Sequence, residues 1–150
     1  MASEVTVLSK DGQWKIEVEA WKNNFLFYSS IGTQVSVYHR EKTKNVWGST
    51  VTDWVKKPAS VITIVNKYTG PVFAGGTGSV TKSGQWRNKS SAELKEWAVG
   101  VKISIPSGEI GGNAILDIDK VEGTVDVNVG NETLHAQVSA SSIISDGSIW

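Results

Sequence analysis

His39 and His135 are the only imidazoles in a chain of 150 residues, and no cysteine accompanies them. General acid–base catalysis, nucleophilic catalysis and zinc binding all draw on these side chains. The two histidines lie in separate stretches of alternating apolar residues. There is no His-Glu-x-x-His spacing and no Gly-x-Ser-x-Gly elbow leading into a helix. A Ser-His-Asp triad needs no fixed spacing, yet a histidine on a strand is more often structural. Gly76-Thr77-Gly78-Ser79-Val80-Thr81-Lys82-Ser83 imitates a phosphate loop. Thr81 stands where that loop needs glycine, and Gly84 follows where a helix should begin. The same-face acids Glu17/Glu19 and Asp117/Asp119 read as solvated strand faces, because glycosidase carboxylates face one another across a cleft. This inventory points away from an enzyme and calls for no cofactor and no metal.

What remains is aromatic. Seven tryptophans, Trp14, Trp21, Trp47, Trp54, Trp86, Trp97 and Trp150, are many for this length. A tryptophan in a small β protein fills the core, or offers a flat polarisable ring to a sugar face, a cationic headgroup or a membrane interface. Trp14 shares a strand face with Ile16 and Val18 and is expected in the core. Trp21, Trp47, Trp54 and Trp86 sit beside polar or turn residues, which makes an exposed aromatic cluster the expectation. The rings singled out for ligand contact are Trp47, Trp54, Tyr68, Trp86 and Trp97.

The elements that must position them follow a period of two. Trp14, Ile16, Val18 and Ala20 alternate with Lys15, Glu17 and Glu19, as in a half-buried strand. Val35/Val37, Val61 to Val65, Val99 to Ile105 and Ile115 to Ile118 continue the theme. Thr124 to Val129 and Thr133 to Val138 flank Gly130-Asn131-Glu132, the strongest hairpin signal in the chain. Ser83-Gly84 is one of several turn signals between strands. Only Ser90 to Trp97 reads as helix, from capping-box spacing of Ser90 and Glu93 and the helix formers Ala92, Leu94, Lys95 and Glu96. The fold class is therefore all-β: a single antiparallel β-sandwich over residues 1–150, with at most one or two short helices.

Composition narrows the partners. Fifteen basic and fifteen acidic residues leave no formal net charge, so no nucleic-acid partner is expected. No apolar run approaches the roughly 20 residues of a membrane-spanning helix, so no transmembrane span is expected. The chain does not open on a basic segment followed by an apolar one. No signal peptide is thus expected, and the location stays open for a soluble protein: cytoplasmic, released by another route, or present here in mature form.

Short motifs add a resemblance. Val35-Ser36-Val37, Lys44-Asn45-Val46-Trp47, Thr69-Gly70-Pro71-Val72 with Gly75 to Val80, and Val99-Gly100-Val101-Lys102-Ile103-Ser104-Ile105-Pro106 resemble segments of the actinoporin-like β-sandwich group. That group holds membrane-permeabilising cytolysins and fungal fruit-body lectins. The resemblance implies that Ser104 and Pro106 border a headgroup pocket. The chain departs from the cytolysins after Pro106, where Ser107 to Asn113 holds no aromatic ring, and at its N-terminus, which reads as strand instead of an amphipathic helix.

These lines converge on a non-enzymatic recognition domain, lectin-like or toxin-associated, that binds a cell-surface glycan or membrane lipid headgroup. A membrane-permeabilising cytolysin and a self-assembling structural protein are the alternatives. Single sites of this kind bind weakly, so a homo-oligomer is expected for avidity.

Overall fold

The computed structural model describes residues 3–24, 28–71, 76–99, 109–110, 113–114 and 119–141. In chain order the strands are β1 (Ser3–Leu8), β2 (Trp14–Asn24), β3 (Tyr28–Lys44), β4 (Thr50–Lys56), β5 (Ala59–Pro71), β6 (Thr77–Lys89), β7 (Ser91–Val99), β8 (Glu109–Ile110), β9 (Asn113–Ala114), β10 (Lys120–Val129) and β11 (Glu132–Ser141). No helix occurs among the described residues. One sheet runs β1-β2-β3-β4, with β7 also on β3; the other runs β11-β10-β5-β6. All pairings are antiparallel. The sheets face each other through contacts of β1 and β2 with β11 and of β3 with β10 and β5, which makes a β-sandwich.

Alternation builds the core. Ile16, Val18 and Ala20 of β2 and Val35 and Val37 of β3 meet Ile62, Ile64, Val121, Val125 and Val127 from the opposite sheet, all within 1% of full burial. Each buried Val or Ile contributes about 1.5–3 kcal/mol relative to an exposed one. The β10–β11 hairpin forms where expected, with Gly130 at φ 54° beginning its two-residue turn. Only glycine takes that left-handed angle without steric cost.

The expected helix at Ser90 to Trp97 is instead β7, paired with the first half of β3 from Tyr28 to Ser36. The same residues also alternate: Ala92 is buried and Leu94 half-buried, whereas Glu93 and Lys95 are exposed. Two helical turns are marginal by themselves, and the open edge of β3 satisfies the backbone of β7 instead. Close approach seals the pairing, since a Cβ at Gly32 would lie 2.7 Å from Lys95 Cβ. The Ser83-Gly84 turn signal also gives way, because both residues lie inside β6 opposite Val65 and Ile64. The Trp86 indole lies over Gly84, whose missing side chain makes the room.

Val37 marks a changeover that shapes the rest. Its N–H donates to Ser90 O at 2.8 Å and its carbonyl accepts from Lys57 N at 3.1 Å. Before this point β3 is flanked by β7; beyond it, by β4. From Lys42 to Asp53 every residue is exposed. The β3–β4 hairpin therefore projects from the sandwich as an arm. Six residue steps from Tyr38 to Lys44 correspond to about 20 Å of strand.

Candidate functional site

The tip of this arm is built from its own backbone. Asn45 Oδ1 accepts hydrogen bonds from Trp47 N at 2.9 Å and Ser49 N at 3.1 Å. Gly48 N donates to Asn45 O and Asn45 N to Ser49 O, both at 3.0 Å. Gly48 takes φ 77°, an angle that admits glycine readily. An Asx-type turn of this kind holds its loop in one shape before any ligand arrives. What the turn presents is apolar: Val46 is 91% exposed and Trp47 85% exposed.

Trp54 stands on the same arm, opposite Arg40 in the β3–β4 register. Its half-buried ring has Lys15 Nζ at 4.9 Å and the Arg40 guanidinium at 5.7 Å. Lys15 also lies 5.2 Å from the Tyr38 ring and pairs with Glu17 at 3.2 Å. These cation–π contacts fix Trp54 as one wall of a mixed aromatic and basic surface. At the base, Trp14 meets His39 edge-on with ring centroids 4.5 Å apart. His39 Nδ1 lies 3.3 Å from Glu41 Oε2, off the line of a hydrogen bond. Lys57 Nζ bonds Glu41 at 3.1 Å, and that ammonium holds the Glu41 carboxyl below its ordinary range.

The other singled-out rings go elsewhere. Tyr68 is fully buried, so it is corrected from a contact ring to a core residue. It occupies an inward position on β5, and Asn66 Nδ2 donates to its hydroxyl at 2.9 Å. Burial pushes its ionisation up to about 12. Trp86 is half-buried, packed against the core through the gap at Gly84. Trp97 stands opposite Ser30 in the β3–β7 register. Ser104 and Pro106 lie outside the described residues. Trp21, a candidate for exposure, is 8% exposed and donates its indole N–H to Ser30 Oγ at 3.2 Å. The structure thus places Trp47 at the tip and Trp54 nearer the base of one arm, and leaves Tyr68 and Trp86 in the sandwich. Arg40 and Lys15 were missed; they are visible only once the β2–β3–β4 register is known.

A second surface is polar. Between β1 and the outer face of the β11-β10-β5-β6 sheet, a trough of about 610 Å³ is lined by Glu4, Lys67, Thr81, Glu122, Thr124 and Gln137 among others. Nearby, His135 Nδ1 lies 2.7 Å from Asp126 Oδ1. Among the described residues no cluster of three or more His, Asp or Glu could hold a metal ion. No described helix is long and apolar enough to cross a membrane. No protein-family model matches this chain, and no curated protein matches it.

Proposed function

We propose that this protein is a non-catalytic recognition domain that binds a cell-surface glycan or lipid headgroup through the β3–β4 arm. One observation carries the reading: a preformed turn holds Val46 and Trp47 out in solvent, at 91% and 85% exposure, at the end of a projecting hairpin. Exposing a large ring on a self-braced tip forgoes burial worth about 1.5–3 kcal/mol. Such an arrangement suits a ring whose partner is another molecule. Trp54, steadied by Lys15 and Arg40, extends the same surface toward the sandwich.

Intrinsic tryptophan fluorescence tests this, titrated in parallel with liposomes of defined headgroup and with simple sugars. A saturable change with one ligand class, absent in Trp47→Ala, is the expected result. A spectrum unmoved by every ligand would overturn it. Dye release from the same liposomes would move the protein to the membrane-permeabilising alternative. The exposed Val46–Trp47 pair also suits a second copy of the chain, the self-assembling alternative. Sedimentation of wild type against Trp47→Ala separates that case, because only self-assembly through the tip would lower the mass of the variant.

A further inference from the structure

The arm sorts its charges by face. Side chains alternate across a strand, and the unbroken pairing Tyr38↔Lys56, Arg40↔Trp54, Lys42↔Thr52 and Lys44↔Thr50 puts these eight residues on one face. That face is the outer one, since Val35 and Val37 point into the core. It carries Arg40, Lys42, Lys44 and Lys56 and no acid. The two acids of the arm, Glu41 and Asp53, are cross-strand partners on the opposite face. Arg40, Lys42, Lys44 and Lys56 are exposed, and among the described residues none has a carboxylate within ion-pair distance. On a chain with no formal net charge, this is a concentrated basic strip about 20 Å long. It ends in the apolar pair Val46–Trp47 and includes the Trp54 ring.

We infer that the ligand of the arm is the surface of an anionic lipid bilayer, with the basic face lying against the headgroups and the Val46–Trp47 tip entering the interface. This rests on the recognition reading above and names its target. Charge complementarity selects an anionic surface, on which each Lys or Arg adds to attraction within a Debye length. The tip selects lipid over a charged polysaccharide. Tryptophan is favoured at headgroup level, and an exposed valine beside it gains from apolar burial that a polysaccharide does not offer. The fixed Asx turn lets the tip enter without first being ordered.

Co-sedimentation of the full chain with vesicles of phosphatidylcholine alone, and of phosphatidylcholine mixed with phosphatidylserine, provides the test. The expected result is binding to the mixed vesicles with a blue shift of tryptophan emission, and little binding to phosphatidylcholine. Binding should collapse near 1 M salt, where the Debye length falls to about 3 Å. Lys42→Gln and Lys44→Gln should each weaken it roughly fivefold, while Lys120→Gln, on the other sheet, changes nothing. The thermal midpoints of these surface variants serve as the folding control. Equal, salt-insensitive binding to both vesicles overturns the anionic assignment and leaves the recognition reading standing. The same holds if a sulfated polysaccharide or a simple sugar binds while vesicles do not. Failure to bind vesicles, polysaccharide and sugars alike overturns both.

Discussion

Thr33 and Asn66 stand on opposite sheets and share a hydrogen bond of 2.7 Å, Thr33 Oγ1 donating to Asn66 Oδ1, at full burial. The amide nitrogen of Asn66 donates to the Tyr68 hydroxyl and to Leu94 O, each at 2.9 Å. One side chain thus ties β5 to both β3 and β7, and its donors and acceptor are all used. Buried polar groups in this state specify a packing, whereas half-satisfied ones are costly. Asn66→Ala strands three partners and is expected to cost about 2–4 kcal/mol. Thr33→Val should cost about 1–2 kcal/mol. Urea unfolding with an unchanged slope measures both, and the double variant should lose less than the sum.

Gly123 is the cross-strand partner of Asn66, and a Cβ there would collide with the Thr33 side chain. Gly123→Ala is therefore expected to destabilise by about 1–3 kcal/mol, as overpacking does. Gly12→Ala meets nothing within 4 Å but must hold φ 73°. Its cost should be strain alone, about 1–2 kcal/mol. Thermal melts of the two variants compare the mechanisms.

Burial raises the Tyr68 ionisation from 10.0 to about 12. The unfolded chain releases this proton first, so the contribution is complete below pH 10 and lost as pH rises toward about 12. Wild type should lose stability across that window. Tyr68→Phe should lose less there, while costing about 1 kcal/mol at neutral pH.

Glu4 and Glu19 face each other across β1 and β2. The hydrogen bond with Glu4, then burial and the Glu4 charge, hold the Glu19 carboxyl above its ordinary range. A raised carboxyl favours the folded state while protonated, and that contribution is lost as pH rises through the shifted value. Glu4→Gln should therefore raise the thermal midpoint at neutral pH, and the gain should vanish in acid. Melting curves across that range check it.

Much of this architecture was legible in residue types. The period of two in Trp14 to Ala20 and the Gly130-Asn131 hairpin stand as read. Ser90 to Trp97 misled because helix propensity is local, whereas the open edge of β3 is a tertiary fact. Tyr68 is a core ring for the same tertiary reason: it takes an inward position on β5, while its neighbours Lys67 and Thr69 occupy the outward face of that strand. Trp47 could be nominated from its Gly-Ser flank. Its pairing with a basic face could not, because Arg40, Lys42, Lys44 and Lys56 align only through strand register.

If the arm makes the contact, the Trp47 ring at its tip carries much of the affinity. Red-cell ghosts display both glycans and lipid headgroups, so the most direct measurement is the affinity of wild type and Trp47→Ala for them, beside the thermal midpoint of each. Wild type is expected to bind, the variant to lose about tenfold or more, consistent with a central aromatic contact, and the midpoints to agree. Equal affinities, or no binding by wild type, would contradict contact through the arm.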